Sequence, residues 1–272
     1  MSFLQTIEHL KTVRDYRDDA IPPTMLKRLV NQIQSSSGLL SSSFALRVIE
    51  DGQGFFEMMN GKAGYYGKMI PSPHYIVFFQ GLEPGVYENS GYVMETLRLK
   101  AWEEGLGTCW ISMDEPLDLA PWVSDPVTSP PIALVAIGYP EHGLLRQDVL
   151  KKSGRLPLTD LVFQGQWNRK CPIGELESRG LAEILYYGKL APSWGNRQPW
   201  RFILHEEKIY LAVHLGDQET RARVDAGIVM LYVQRAAHAK GISMNWQLIQ
   251  PDPSLAEALR LPDSEHLVGI FS

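Results

Sequence analysis

The chain has 272 residues, 44% of them hydrophobic and 21% charged, the composition of an ordinary globular protein and not of a disordered chain, long enough for one large core or two coupled ones. Its net charge of -5, with Lys and Arg dispersed along the sequence, supplies no basic field for nucleic acid. No apolar run approaches the roughly twenty residues of a membrane span, and the opening MSFLQTIEHLKTVR lacks a signal peptide's continuous apolar stretch, so a cytoplasmic protein without a membrane partner is expected.

Phe3, Leu4, Ile7 and Leu10 share one face of an opening helix that leads into Lys11-Thr12-Val13-Arg14-Asp15-Tyr16-Arg17. Lys11, Thr12 and Arg14 place two cations and a hydroxyl within four residues. That set is able to neutralise a phosphate, although a solvated basic helix end has the same composition. After Pro23 an amphipathic helix carries Met25, Leu26, Leu29, Val30 and Ile33, and Ser35 to Ser43 reads as a loop. Phe44 to Ile49 is a β-like run, and the glycine- and aromatic-rich stretch from Gly52 to Ile70 holds a helix around Phe55. Pro73 to Phe79, largely apolar, predicts a fully buried strand.

A long helix is expected from Gly91 to Glu104, closed by Gly105 and followed by GLGTCWIS. Gly105-Leu106-Gly107 is not a dinucleotide loop, because Trp110 stands at the third glycine position and a helix precedes it where a strand is required. Ile132 to Gly138 is another apolar strand, and Gly154-Arg155-Leu156-Pro157-Leu158 follows. Cys109 and Cys171 are too few for a disulfide framework and lack zinc-site spacing.

Glu175 to Leu190 predicts one helix, with Leu176, Leu181, Ile184, Leu185 and Leu190 on a shared face, ended by Pro192. The next stretch, APSWGNRQPW (Ala191 to Trp200), carries Ser193, Asn196 and Gln198 ahead of a β-run from Trp200 to Leu204. A hydroxyl and two carboxamides suit the polar edge of a flat heterocycle; a plain turn is the alternative. Gly91 to Trp110 reads G-x9-A-x3-G-L-x3-W, and Gly227 to Trp246 reads G-x9-A-x3-G-I-x3-W. The identical spacing implies a duplicated α+β unit, residues 1–162 and 163–272, with mainly antiparallel sheets flanked by helices. The second copy lacks roughly twenty residues that the first has between its β-run and its long helix.

APSWGNRQPW resembles the P-S-x-x-N-x-Q-P-W segment of the nitroreductase-like FMN flavoprotein family, with Pro192, Ser193, Asn196, Gln198, Pro199 and Trp200 at the matching positions. KTVRDY is similar to the family's R-S-[VI]-R-x-[YF] opening, with Lys and Thr replacing Arg and Ser. The resemblance extends to GLGTCWI, AIGYP and GRLPL, and is strongest to single-chain, pseudo-dimeric members. It implies that Lys11, Thr12, Arg14 and Arg155 hold the FMN phosphate, with Lys152 as a further candidate. It also implies that Pro192, Ser193, Asn196 and Gln198 line the isoalloxazine and ribityl chain, while the main chain of Trp110, Ile111, Ser112 and Met113 passes near flavin N5.

Family members form homodimers around FMN, so a duplicated chain is expected to make that interface itself and to be monomeric. The motifs match at one site, and the second is degenerate. The implied reaction is ping-pong hydride transfer from NAD(P)H through flavin N5 to a nitroaromatic or quinone-type acceptor. Arg197 and Arg201 are either cations for the flavin's pyrimidine edge or surface residues; Tyr65, Tyr66 and Trp194 either line a substrate pocket or pack. No catalytic side chain and no metal site is identified: G-x-S-x-G, H-E-x-x-H and C-x-x-C are all missing from the sequence. A flavin-binding or scaffold protein without turnover is the alternative, and the same fold hosts other flavin chemistries.

Overall fold

The computed structural model describes residues 3–113, 117–125, 127–143 and 154–272. The described residues fall into two compact units, one drawn from His9–Val86 and Val93–Val149, the other from Ser2–Glu8, Tyr87–Tyr92 and Leu150–Ser272. In chain order the elements begin with α1 (Phe3–His9), α2 (Pro23–Gln34), β1 (Phe44–Ile49), α3 (Gly52–Met59), β2 (His74–Gln80), α4 (Val86–Glu103), β3 (Gly107–Ile111) and β4 (Pro131–Gly138). They continue with α5 (Leu158–Leu161), β5 (Val162–Gln164), α6 (Ile173–Ser178), α7 (Ala182–Lys189), β6 (Trp200–His205), β7 (Lys208–His214), α8 (Glu219–Ala239), β8 (Trp246–Leu248), α9 (Pro253–Ala258) and β9 (Glu265–Phe271).

The first unit is built on a four-stranded sheet in the order β1-β2-β4-β3, antiparallel throughout. Every residue of β2 is buried, as its apolar run predicts for a central strand. One core cluster joins Tyr75, Val77 and Phe79 of β2 and Leu134 and Ala136 of β4 to Phe55 and Met59 of α3. Pro23 opens α2 at a position whose N–H has no intrahelical partner, and Leu26, Leu29, Val30 and Ile33 form its buried stripe.

The second unit has a five-stranded sheet in the order β5-β6-β7-β9-β8. Apart from the parallel pair β5 and β6, its neighbours are antiparallel. Setting β5 aside, β6-β7-β9-β8 repeats β1-β2-β4-β3: two strands, a long helix, an edge strand bearing Trp, then a strand returning between them. The duplication therefore holds at the level of topology, and the fold is α+β. The extra residues of the first copy lie at 50–73, between β1 and β2, where α3 sits. The corresponding β6–β7 connection is only Glu206 and Glu207, with Glu206 at φ 53°.

Two predicted helices differ from the structure. The stretch from Glu175 to Leu190 is split into α6 and α7, because Gly180 adopts φ 69° and closes the first of them. Helix α4 begins at Val86, after Gly85 at φ 89°, and not at Gly91. Gly91 lies inside the helix for a packing reason. A Cβ there would come within 2.1 Å of the Val224 carbonyl oxygen, and a Cβ on Gly227 of α8 within 1.8 Å of the Glu88 carbonyl oxygen. Both contacts fall within the second unit, and both join a repeat glycine to the carbonyl three residues before its counterpart. Arg223 seals the contact, pairing with the buried Glu88 at 2.8 Å.

Candidate functional site

In the first unit the predicted phosphate segment lies along the outer edge of β3, which is the sheet's edge strand. Thr12 bridges Thr108 in parallel, and the Val13 N–H donates to the Thr108 carbonyl at 3.0 Å. Glycines make this approach possible. A Cβ on Gly107 would lie 2.6 Å from the Val13 side chain, and one on Gly138 would lie 2.8 Å from the Tyr16 ring. Tyr16 anchors the segment by donating to the Val13 carbonyl at 2.7 Å, and burial raises its phenol well above the ordinary value. Arg14 and Thr12 remain exposed, and Arg14 has no ion pair among the described residues. Lys11 is half-buried, and Lys152 lies outside the described residues.

The other end of the β3 edge is closed by the stretch between β1 and β2. The Gly64 N–H donates to the Ser112 carbonyl at 2.8 Å, and Ala63 bridges Met113. Main-chain groups of alternate residues in a strand face the same side, so Trp110, between Thr108 and Ser112, presents its N–H and C=O to the gap between the two flanking segments. Among the described residues the Cys109 thiol, at 3.4 Å, is what meets the Trp110 carbonyl. Ile111 is buried in the core cluster, so its side chain is structural. Burial raises the Cys109 thiol above its ordinary value, which keeps it protonated and a poor nucleophile.

Behind this edge stands a charged network that the sequence reading missed. The Trp110 indole Nε1 donates to Glu95 Oε2 at 3.0 Å, Arg98 pairs with the same oxygen at 2.6 Å, and Arg98 Nε donates to the Thr108 hydroxyl at 3.1 Å. Glu95 and Arg98 are fully buried on α4. Their spacing of three on a helix was visible in sequence but has the signature of a solvated pair.

In the second unit the structure brings together Arg155, Ser193, Asn196 and Gln198. Arg155 donates to Asn196 Oδ1 at 2.9 Å and to the Leu190 carbonyl at 3.3 Å, and burial lowers its guanidinium from the ordinary value while leaving it charged. Gln198 is buried, receives the Leu156 N–H at 2.9 Å, and donates to the carbonyls of Gly154 at 3.3 Å and Asn196 at 3.1 Å. The Ser193 hydroxyl accepts the Gln198 N–H at 3.0 Å, which sets the loop and leaves the hydroxyl's own O–H as a donor. Pro192, partly buried, separates α7 from this turn. Gly195, Asn196 and Gln198 take positive φ values of 57°, 57° and 50°. Asn tolerates that region, whereas Gln is held there by its buried hydrogen bonds. Asp225 of α8 was not singled out in sequence; both its oxygens accept the Trp194 N–H at 3.1 Å. Among the described residues no cluster of metal-binding side chains occurs, and no helix is long and apolar enough to cross a membrane.

Comparison with known proteins bears on what these two groups serve. The crystal structure of a "putative nitroreductase" from Thermotoga maritima aligns with 100% of this chain and 93% of its own, at 17% identity and a TM-score of 0.60, and so shares the fold. A nitroreductase with bound FMN from Bacteroides fragilis aligns with 58% of this chain and 98% of its own, at 17% identity and a TM-score of 0.43. An FMN-dependent nitroreductase from Clostridium difficile aligns with 56% of this chain and 92% of its own, at 17% identity and a TM-score of 0.42. No curated protein matches. The family model described as "Putative TM nitroreductase" matches residues 2–237, and with most of its length so accounted for, the chain belongs to that nitroreductase family.

Proposed function

We propose that the chain is an FMN-dependent oxidoreductase that oxidises NAD(P)H and reduces a small electron-poor acceptor, a nitroaromatic or a quinone. FMN, when bound, supplies the two-electron carrier between donor and acceptor. The residues on hand fit that group in kind. Arg14, exposed and without a carboxylate partner among the described residues, and the Thr12 hydroxyl are suited to a phosphate, with Lys11 adding charge. In the second unit, taken by itself, Arg155 offers a guanidinium, and Asn196 keeps acceptor and donor capacity beyond its bonds to Arg155 and Gly154. Pro192, Ser193 and Gln198 shape the loop that carries Asn196. The observation that carries the reading is the bracketed gap on β3, where Trp110 offers a main-chain donor and acceptor to a planar heteroatom edge, with Ile111 to Met113 fixing the strand around it.

Donor and acceptor sharing one place in turn gives parallel lines in double-reciprocal plots. The test is spectroscopic. Purified protein supplied with FMN retains flavin absorbance through gel filtration, bleaches on NADH or NADPH, and recovers its colour with a nitroaromatic or quinone. Protein that takes up no FMN overturns the proposal.

A second reading, a flavin-binding or scaffold protein without turnover, is favoured by one feature: both polar ends of Gln198 are already engaged by main-chain groups. Retained FMN that NADH and NADPH fail to bleach would support it.

A further inference from the structure

The second unit contains a cavity of about 270 Å³ whose walls include Trp167, Trp194, Arg197, Arg201, Arg221 and Glu265. Its charges are unevenly committed. Asp217 pairs with Arg197 at 3.5 Å, Glu265 takes His214 at 3.0 Å, and Asp225 accepts the Trp194 N–H at 3.1 Å. Arg201 has no carboxylate within ion-pair distance among the described residues. Its Nη1 donates to the carbonyls of Gln198 at 3.1 Å and Trp200 at 2.6 Å. That leaves the Nε and Nη2 edge, a planar pair of donors that matches the two oxygens of a carboxylate. Arg201 is half-buried, and burial lowers its guanidinium from the ordinary value, an effect that the more distant Glu265 and Asp160 carboxylates oppose without closing to ion-pair distance.

We propose that this cavity is a binding site for a small aromatic carboxylate. The Trp167 indole among its walls suits a planar apolar body, while the Trp194 ring already carries the Arg197 and Arg221 guanidiniums at 4.8 and 4.2 Å from its centroid. The volume leaves room for one ring bearing one carboxylate. Asp217, Asp225 and Glu265 also border the space, so a dianionic phosphate meets more repulsion there than a monoanion does. The proposal does not depend on flavin chemistry, and its test reads binding instead of turnover.

Isothermal titration of the full chain, with and without added FMN, uses benzoate, its uncharged isostere benzamide, and inorganic phosphate. Benzoate is expected to saturate one site in both preparations, with benzamide and phosphate at least about tenfold weaker, and Arg201→Gln is expected to weaken benzoate at least about tenfold. Should Arg201→Gln fail to fold, crystals of the unaltered protein soaked in 4-iodobenzoate supply the second measurement. An iodine anomalous peak inside the cavity with the carboxylate on Arg201 supports the site. Absence of benzoate binding, binding only when FMN is present, equal affinity for benzamide, tighter binding of phosphate, unchanged affinity in Arg201→Gln, or an iodine peak elsewhere each overturns it.

Discussion

Arg14 and Gln198 belong to the same predicted site, yet their surroundings assign them opposite sensitivities. Arg14 is exposed and pairs with nothing among the described residues, so folding does not depend on it. If the phosphate sits there, Arg14→Ala removes a charge-assisted contact worth about 1.5–3 kcal/mol, or roughly 10- to 100-fold in FMN affinity, and leaves the urea midpoint of the FMN-free chain unchanged. Fluorescence titration with FMN measures the first quantity, and unaltered affinity would remove Arg14 from the site. Gln198→Ala instead takes the side-chain partner from the Leu156 N–H and the Asn196 carbonyl, both partly buried, and empties a buried side-chain position. It is expected to lower the stability of the FMN-free chain by about 1–3 kcal/mol, which a denaturation curve at constant slope reports.

His74 gives the residue scale a pH dependence. Its Nε2 accepts the Ile21 N–H at 3.0 Å and its Nδ1 faces the Glu50 carbonyl at 3.1 Å, so the ring is held as the neutral tautomer protonated on Nδ1. Burial lowers its pKa from the ordinary 6.5. Between that value and the lower folded one, the unfolded chain binds more protons than the folded chain, so stability falls as pH falls through the window. Urea midpoints are expected to decline below pH 6.5, and less steeply in His74→Asn than in the unaltered chain. Equal slopes in the two proteins would assign the acid sensitivity to other groups.

At the scale of elements, the repeat glycines carry two kinds of constraint. Gly91 and Gly227 sit inside helices where an added Cβ would strike a backbone carbonyl at 2.1 Å and 1.8 Å. Backbone on both sides prevents relief by a side-chain rotation. Gly91→Ala or Gly227→Ala is therefore expected to cost more than about 3 kcal/mol or to prevent soluble expression, like other severe overpacking. Gly105, at φ 84° with open space around its Cβ position, should lose only about 1 kcal/mol as Ala. Thermal unfolding of the three variants checks the order, and a mild Gly91→Ala would contradict the close crossing.

These glycines also show what was legible in the sequence. The spacing of the repeat was plain, and so were its consequences, Gly105 closing α4 and Trp110 following on β3. The run Phe44 to Ile49 became β1 without adjustment, because its apolar residues fit only a short strand between a serine loop and a glycine. Gly91 misled because a glycine that starts a helix and one that admits another backbone look alike in one dimension. Gly180 was overlooked for the converse reason: the leucine pattern continues across the break, and only the positive φ reveals it. At the site, the residue types of the flavin-like loop were readable. Their bonding partners at 154–156 were not, since hydrogen bonds between segments some forty residues apart leave no periodic trace.

At the scale of the whole molecule, duplication predicts two equivalent sites unless the copies have diverged, and their edge strands have. On β3 the Lys11–Tyr16 segment and the stretch around Ala63 bracket Trp110. On β8, three residues long against five for β3, no isolated bridge to another segment is formed among the described residues, and the tight Glu206-Glu207 hairpin replaces the stretch that supplies Ala63 and Gly64. The second edge thus lacks both brackets as well as counterparts of Thr12 and Arg14. We therefore expect one FMN per 30.7 kDa chain, on a monomer, with binding described by a single affinity. Flavin absorbance against amino-acid analysis gives the ratio, and light scattering on the same sample gives the mass. Saturation at two flavins per chain would mean that the β8 edge binds without brackets, and would remove the structural reason for assigning FMN to the β3 edge.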